Sequence, residues 1–234
     1  MTPKPAPSLW QLFYSAIEFQ VADRAKLMMV AQRAPFEPGE TERAIAEFEV
    51  WAQSRLLGSP GIDNLFVLVK FNTFRAFVSN CKDLGIPTHD TLVDESVSPF
   101  PKPEHPPIDQ LRVPPSLWPT QLQKQVNHHP WIDLLPVPTM RDNLLRAAEE
   151  WDQDGLCTDL IGHGNDASTG IGMVIWGEPW DPAGWEVTAG FLQHWGWTIR
   201  GCDELVDATN SWRERRGEEP LDFEGIRIRD DPTQ

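Results

Sequence analysis

The sequence predicts a mostly α-helical fold: a single helical domain with at most a small β element near residues 159–176. Apolar residues recur with the spacing of a helix face in several separate segments. Hydrophobic residues make up 40% of the 234 residues, which is enough to build a core. No Gly/Ser linker or block of like charge divides the chain, so we expect one domain over 8–220, a disordered tail over 1–7 and an acidic tail over 221–234.

Three helices are predicted toward the N-terminus. Ser8 and Gln11 have the spacing of a capping box and predict a helix that ends just before Pro35. A second helix is expected over 41–57 and a third over 62–84. The third is apolar nearly all round, so we expect it to be central and buried.

The middle of the chain is predicted to be irregular. Residues 86–119 contain nine prolines and little periodicity, which predicts a long connection draped over the body. Thr120 and Gln123 again have capping-box spacing, and they predict a short helix that ends at His129, before a proline.

Two further helix starts can be recognised by their capping residues. Thr139, with Asp142 three residues on, predicts a helix that ends at Gly155. Asp181 is an acidic N-cap followed by proline, which predicts a helix carrying Trp185 on its apolar stripe.

One strand and one last helix complete the prediction. Residues 171–176 are short, apolar and partly β-branched, which predicts a strand or a buried extended segment. Its expected partners are Leu160 and Ile161, across a Gly-rich loop. The last helix is predicted over 203–216, since Gly217 follows.

The charge and the cysteines restrict the class of function. The formal net charge is −15, so most of the surface repels phosphate, and any nucleic-acid contact needs a local basic patch. Three widely spaced cysteines with no CxxC pair fit a reducing compartment and predict no metal site. With no secretory signal and no long apolar run, we expect a cytoplasmic protein with no membrane contact. The Gly-rich loop 162–172 lacks the Gly-Lys-Ser/Thr ending of a phosphate loop and the chain has no HExxH motif, so we expect no cofactor.

The segment 177–217 is rich in tryptophan and charge. Six of the eleven tryptophans lie between Trp176 and Trp212. Such a cluster is either an aromatic core with a solvated outer face or the wall of a small-molecule pocket. The sequence alone leaves both interpretations open.

Several polar residues are candidates for that pocket, each with a structural alternative. Asp181 is explained by helix capping, whereas Glu186 follows an indole and would have a raised pKa or seek a cation, which makes it the better candidate base or cation ligand. A second polar group has two interpretations: a structural one, in which it caps a helix and forms an Asp–Arg pair, and a functional one, in which a carboxylate points into a pocket. Its members are Asp133, Arg141, Asp142 and Asn143. The last helix carries Asn210, Arg213 and Arg216, and its two arginines form either part of a small basic patch or ordinary cations near a helix C-terminus.

Three strings in this region resemble a fungal domain of unknown function that usually follows a bZIP DNA-binding region in regulators. They are LWPTQLQKQVNHHPWIDLLPVPTMRDNLL, WGEPWDPAGWEVTAGFLQHWGW and GCDELVDATNSWRERRGE, and the resemblance covers about residues 60–220. A bZIP region needs a basic helix followed by leucine heptads. Neither occurs upstream of Ser8, so we expect no direct DNA binding.

Standalone proteins of this kind look like fungal arginine-containing cyclodipeptide synthases. The resemblance implies an enzyme that joins an arginyl group and a second aminoacyl group, both delivered by aminoacyl-tRNA, into a cyclic dipeptide. The ester to tRNA is already activated, so no ATP and no metal are needed. On this interpretation the catalytic residues are Glu186, Asp181 and Asn210; the substrate-binding residues are Asp133, Arg141, Asp142, Asn143, Trp176, Trp180 and Trp185; and the nucleic-acid-binding residues are Arg213 and Arg216.

Two other functions fit the same sequence. One is a non-enzymatic effector or regulatory domain of a bZIP-type regulator that lacks its DNA-binding region. The other is a secondary-metabolite isomerase or cyclase that holds an apolar substrate in a Trp-lined cavity.

Overall fold

The computed structural model describes residues 62–91, 95–106, 108–148, 151–160, 172–224 and 226. The predicted tail over 1–7, the helices predicted over 8–34 and 41–57, and nearly all of the Gly-rich loop lie outside the described residues. The tryptophan-rich segment 177–217 lies wholly within them.

The described part of the chain is mainly helical and holds one small sheet, as the sequence predicts. The helices are α1 (Ile62–Leu84), α2 (Pro138–Arg146), α3 (Gln153–Leu160), α4 (Ala189–Trp195) and α5 (Asp203–Arg215). The strands are β1 (Met173–Ile175) and β2 (Trp185–Val187). Short 3-10 turns lie at Thr88–Thr91, Pro115–Leu117, Pro130–Leu134, Pro182–Gly184 and Gly196–Ile199.

Helices α1 and α5 match their predictions closely, because both carry strong local signals. Helix α1 ends before Gly85, whose φ of 67° suits glycine. Its second half is buried through Ala76, Phe77 and Cys81, as expected for a central helix. Helix α5 ends one residue earlier than predicted, with Arg216 as its C-cap.

The predicted strand is confirmed as β1, but its predicted partner is wrong. β1 pairs antiparallel with β2, so Met173 faces Val187 and Ile175 faces Trp185. Leu160 lies in α3 instead, and Ile161 is outside the described residues. Backbone contact between Gly177 and Gly184 closes the hairpin: a Cβ on Gly184 would lie 2.9 Å from the Cα of Gly177.

The helix predicted from Asp181 is also wrong, because β2 interrupts it. Asp181 does cap a turn, since its carboxylate accepts a hydrogen bond from the Ala183 N–H, but that turn is the 3-10 turn Pro182–Gly184. The chain then becomes extended because pairing with β1 buries Trp185 and Val187. Helix α4 begins only after Thr188, whose hydroxyl caps it.

The helix predicted from Thr139 to Gly155 is two helices. Proline occupies the first position of α2 and Val137 precedes it as the N-cap, so Thr139 and Asp142 lie inside the helix and do not cap it. The break after α2 contains Ala148, whose φ of 51° is not helical.

The capping box at Thr120 forms without a helix. The Thr120 N–H donates to Gln123 Oε1 at 2.9 Å, and the Gln123 N–H donates to Thr120 Oγ1 at 3.1 Å. Turns follow it, so the predicted helix does not form, although the chain does become extended at His129, before Pro130, as expected.

The core lies where α1, the hairpin, α2 and α5 meet. Phe77 of α1 contacts Trp185 with ring centroids 6.1 Å apart. A second aromatic group joins Trp131, Trp151 and Trp197 in edge-on contacts of 6.3 and 5.9 Å. Phe223 is 4% exposed, so packed structure continues past the domain boundary predicted at residue 220.

Candidate functional site

Strand β2 and the end of α5 bring Glu186 and Arg216 together. The Glu186 side chain is 4% exposed, and its carboxylate accepts a forked pair of hydrogen bonds from the Arg216 guanidinium at 2.7 and 2.8 Å. The Trp176 indole N–H donates a third at 2.7 Å. Arg216 is therefore the cation that the sequence predicted beside Glu186, and both oxygens of this carboxylate accept a hydrogen bond.

A second carboxylate completes the surroundings of Arg216. Glu218 accepts from Arg216 Nε at 2.8 Å and from Arg216 Nη2 at 3.1 Å. The hydrogen bonds that Arg216 donates to Glu186 and then to Glu218 raise the pKa of Arg216 above its usual value, against a smaller effect of burial. The same bond from Arg216 lowers the pKa of Glu218. Arg216 and Glu218 are thus held in their charged forms.

Aromatic rings and guanidinium groups alternate beside this ion pair. The Trp176 and Trp212 rings stack with centroids 5.8 Å apart and planes inclined by 27°. Arg216 lies 5.0 Å from the Trp176 centroid, and Arg215 lies 4.6 Å from the Trp212 centroid. Cation–π contacts of this kind orient both rings.

The loop between β1 and β2 exposes two tryptophans. Trp176 is 41% exposed and Trp180 is 37% exposed. The Ser116 hydroxyl donates to the Trp180 carbonyl, and the Asn80 amide donates to the Pro179 carbonyl at 3.0 Å, so the 3-10 turn at 115–117 and α1 hold the loop. We call Trp176, Trp180, Trp212 and Arg215 the aromatic surface.

Of the predicted substrate-binding tryptophans, Trp185 does not belong to this surface. It is 1% exposed, and its indole N–H donates to the Pro179 carbonyl at 3.0 Å. Trp185 is buried because it lies on β2, where it pairs with Ile175 and contacts Phe77, and not on the helix that the sequence predicted. The tryptophans therefore divide between a sealed core and an exposed face.

The predicted basic patch is largely neutralised by carboxylates. Arg216 is occupied by Glu186 and Glu218. Arg213 donates to the Glu219 carbonyl at 2.7 Å and forms a 3.1 Å ion pair with Glu218. Their placement as nucleic-acid contacts is therefore unsupported, because a phosphate would have to displace a carboxylate. Arg215 is exposed, and no carboxylate among the described residues forms a salt bridge with it.

Asn210 and Asn143 use their side-chain amides to hold loops. Asn210 Nδ2 donates to the Leu221 carbonyl at 3.1 Å, and Asn210 Oδ1 accepts from the Leu221 N–H at 2.8 Å. Asn143 Nδ2 donates to the Thr198 and Arg200 carbonyls, each at 2.9 Å. These contacts explain both residues as structural ties within the described fold.

The Asp–Arg pair expected around Arg141 does not form a hydrogen bond, because the acceptors of this guanidinium among the described residues are all backbone carbonyls. The buried Arg141 guanidinium donates to the carbonyls of Ser116, Leu135 and Trp118 at 2.7–2.9 Å. Burial lowers the pKa of Arg141 to about 10, although the charges of Asp133 and Asp142 act in the opposite direction. Arg141 ties together two backbone segments through three carbonyls, which gives it a structural role that sequence reasoning missed.

Asp133 instead binds the side chains that precede it. Its Oδ1 accepts from His128 Nε2 at 2.7 Å and from Gln123 Nε2 at 2.5 Å. His128 Nδ1 also faces an acceptor, the Val126 carbonyl at 2.7 Å, so both ring nitrogens carry protons and the pair is ionic. Burial lowers the pKa of His128, but the hydrogen bond and charge of Asp133 and the Val126 carbonyl outweigh burial and raise it overall.

Asp142 lies at the surface end of the same network. It accepts from the Thr120 hydroxyl at 2.6 Å and from Arg146 at 3.2 Å. Because Asp142 lies within α2, it cannot cap that helix, and the i, i+4 pair with Arg146 accounts for it. Neither Asp133 nor Asp142 forms part of the aromatic surface.

Two buried cysteines and one buried threonine are unsuited to nucleophilic attack. Burial raises the pKa of Cys81 and of Cys202 to about 12, so both thiols stay protonated. Thr209 is buried, donates to the Leu205 carbonyl and accepts from the Val187 N–H. Among the described residues, no three His, Cys, Asp or Glu side chains gather where a metal ion could be held.

Of the two carboxylates predicted to be catalytic, Asp181 and Glu186, that of Asp181 is the more accessible. It is half-buried, lies next to Trp180, and accepts one hydrogen bond through Oδ1 from Ala183 at 2.9 Å. Sequence reasoning missed Glu218, which the folded chain brings to Arg216. Its only signal was the dense charge after Trp212.

Comparison with known proteins gives one match. The described helices include none that is both long and apolar enough to cross a membrane. No curated protein and no solved structure matches the chain. Over residues 102–206, however, the chain matches the model of a family described as a domain of unknown function (DUF3425), which confirms that part of the expected resemblance.

Proposed function

We propose that this protein is a tRNA-dependent cyclodipeptide synthase that joins an arginyl group and a second aminoacyl group into a cyclic dipeptide. The observation that carries the proposal is the aromatic surface. The loop between β1 and β2 exposes two indoles, and one of them, Trp176, stacks on Trp212 beside the exposed Arg215, on a protein whose net charge is −15. Exposed aromatic rings beside arginine suit the single-stranded 3′ end of a tRNA, whose bases stack on such rings.

The chemistry needs positioning and a proton acceptor. The α-amine of one aminoacyl group attacks the ester carbonyl of the other, forming a peptide bond as the ester bond to the tRNA ribose breaks. The α-amine of the resulting dipeptidyl ester then attacks the remaining ester, which closes the ring and releases the second tRNA. Each attacking ammonium loses a proton, and each leaving ribose oxygen gains one.

Asp181 is the residue that we assign to the proton transfer. Its carboxylate lies beside Trp180, and its Oδ2 accepts no hydrogen bond from a described residue. Glu186 is a poor candidate because Arg216 and Trp176 already donate to both of its oxygens. The contact with tRNA falls to Arg215, since carboxylates occupy Arg213 and Arg216.

Binding of tRNA tests the aromatic surface. Trp180→Ala should weaken binding of aminoacyl-tRNA by about 5- to 150-fold, since loss of one stacked base costs ~1–3 kcal/mol. Arg215→Ala should reduce the slope of log affinity against log salt by about one. Leu111→Ala, at a residue that is 98% exposed, is the matched control and should bind normally.

Product formation tests the reaction itself. Expression in bacteria, with mass spectrometry of the medium, should detect an arginine-containing cyclic dipeptide that Asp181→Asn abolishes. Soluble protein that yields no such product would refute the proposal. Co-purification of a bZIP factor, or quenching of tryptophan fluorescence by an apolar metabolite without tRNA binding, would instead support the regulator or the isomerase.

A further inference from the structure

The surroundings of Arg216 have the composition of a guanidinium-binding site. Four of the five guanidinium N–H groups donate to carboxylates: two to Glu186 and two to Glu218. The Trp176 ring lies 5.0 Å from the guanidinium carbon. A planar, forked cation matches this arrangement, whereas an ammonium group could not meet both forks at once.

The walls of this site are built without Arg216. Glu186 lies between two β2 residues that are almost fully buried, Trp185 and Val187. Val187 is held further by its N–H bond to Thr209. Trp176 stacks on Trp212, whose indole N–H donates to the Ala183 carbonyl at 2.8 Å. Removing the Arg216 side chain would therefore leave a buried carboxylate and an aromatic wall in place.

The site also opens toward solvent. The Arg216 side chain is 30% exposed and that of Glu218 is 43% exposed. Arg216 is the C-cap of α5, and Gly217 follows it with φ of 72°, so the guanidinium between the two carboxylates comes from the end of a helix. By contrast, Arg141 is buried and donates to three backbone carbonyls, so its guanidinium has no carboxylate fork to occupy.

We infer that Glu186, Glu218 and Trp176 form a guanidinium-binding site, which Arg216 occupies as an internal ligand and which accepts the guanidinium group of a small molecule when Arg216 leaves. A buried carboxylate that loses its cation is strongly destabilised, and this drives the vacated site to take a replacement. The specificity is for a guanidinium over an ammonium, because only the former satisfies both carboxylate forks. This inference does not depend on the proposed function.

The test uses the full chain with Arg216→Ala and methylguanidinium as the probe. We expect methylguanidinium to raise the Tm of this variant, with half-saturation at about 1 mM, the affinity open to so small a ligand. Methylammonium at the same concentration and ionic strength should raise it much less. Wild-type protein should show no rise, because Arg216 already fills the site.

Two control variants locate the effect. Arg213→Ala loses a guanidinium that also contacts Glu218 but does not touch Glu186, so methylguanidinium should not raise its Tm. Glu186→Gln combined with Arg216→Ala should abolish the response. If Arg216→Ala is unfolded without the probe, the readout is the folded fraction recovered by methylguanidinium and not by methylammonium. Equal responses to the two cations, a rise in wild type, or no recovery would overturn the inference.

Discussion

Replacing Glu186 with glutamine should destabilise the fold, and the structure fixes the size of the loss. The Glu186 carboxylate accepts three N–H groups: Oε2 accepts from Trp176 and from Arg216, and Oε1 accepts a second N–H of Arg216. A glutamine can place its oxygen at the Oε2 position and keep two of these bonds. Its NH2 group then faces Arg216 Nη2, where two donors oppose each other.

The variant therefore loses one charge-assisted hydrogen bond and leaves Arg216 with a single carboxylate partner, Glu218. A hydrogen bond to a charged group contributes ~1.5–3 kcal/mol, and an unpaired buried donor adds to the loss. We expect Glu186→Gln to lower the free energy of unfolding by about 2–4 kcal/mol. Urea denaturation, followed by tryptophan fluorescence, measures this change.

Glu218→Gln is the matched control because it removes a carboxylate from the same arginine at an exposed position. It should cost less than about 1 kcal/mol. The urea m-value should stay constant in both variants if the native and unfolded states keep their exposed areas. Equal losses in the two variants, or a change below about 1 kcal/mol for Glu186→Gln, would refute the reasoning.

Three further predictions concern the buried polar groups. The folded-state pKa of His128 is raised, so the stability contributed by its pair with Asp133 is complete below the unfolded-state pKa of about 6.5 and is lost as pH rises through the folded-state value. The difference in unfolding free energy between wild type and His128→Gln should therefore shrink from pH ~6 upward. A difference that grows with pH would contradict the ionic pair. Arg141→Lys should cost about 2–3 kcal/mol by urea denaturation, since one ammonium cannot reach the three carbonyls that the guanidinium binds; an unchanged midpoint would argue against the clamp. Thr120→Ala should cost about 0.5–2 kcal/mol, because the Gln123 N–H and Asp142 both lose their partner hydroxyl, and a neutral result would remove the capping box from the account.

The helices that could be predicted from the sequence are those whose ends are marked by residues next to them in the sequence. Helix α1 has an apolar run that ends at Gly85, and α5 has a helical segment that ends just before Gly217, so local signals suffice. The hairpin could be predicted only in part. β1 has a strand composition, but the Asp181–Pro182 pair mimics a helix start, and pairing between β1 and β2 overrides that signal.

The candidate site was predicted in composition but not in pairing. The sequence indicated that Glu186 needs a cation, and the structure supplies Arg216 from 30 residues away. The periodicity of a helix or strand relates only residues a few positions apart, so it cannot predict a pair with so large a separation in sequence. Arg141 was missed as a clamp because its partners are backbone carbonyls, two of them on the irregular 86–119 connection. Backbone acceptors leave no mark in the sequence, so a buried arginine is predicted as half of an ion pair.

Our central proposal is that the exposed aromatic surface receives an aminoacyl-tRNA carrying arginine. Purified protein incubated with tRNA charged with isotopically labelled arginine, together with a mixture of the other aminoacyl-tRNAs, tests this most directly. We predict labelled cyclic dipeptide in the wild type and with Leu111→Ala, and a strong loss with Trp180→Ala. Release of labelled free arginine alone, at the rate seen without protein, would contradict the account.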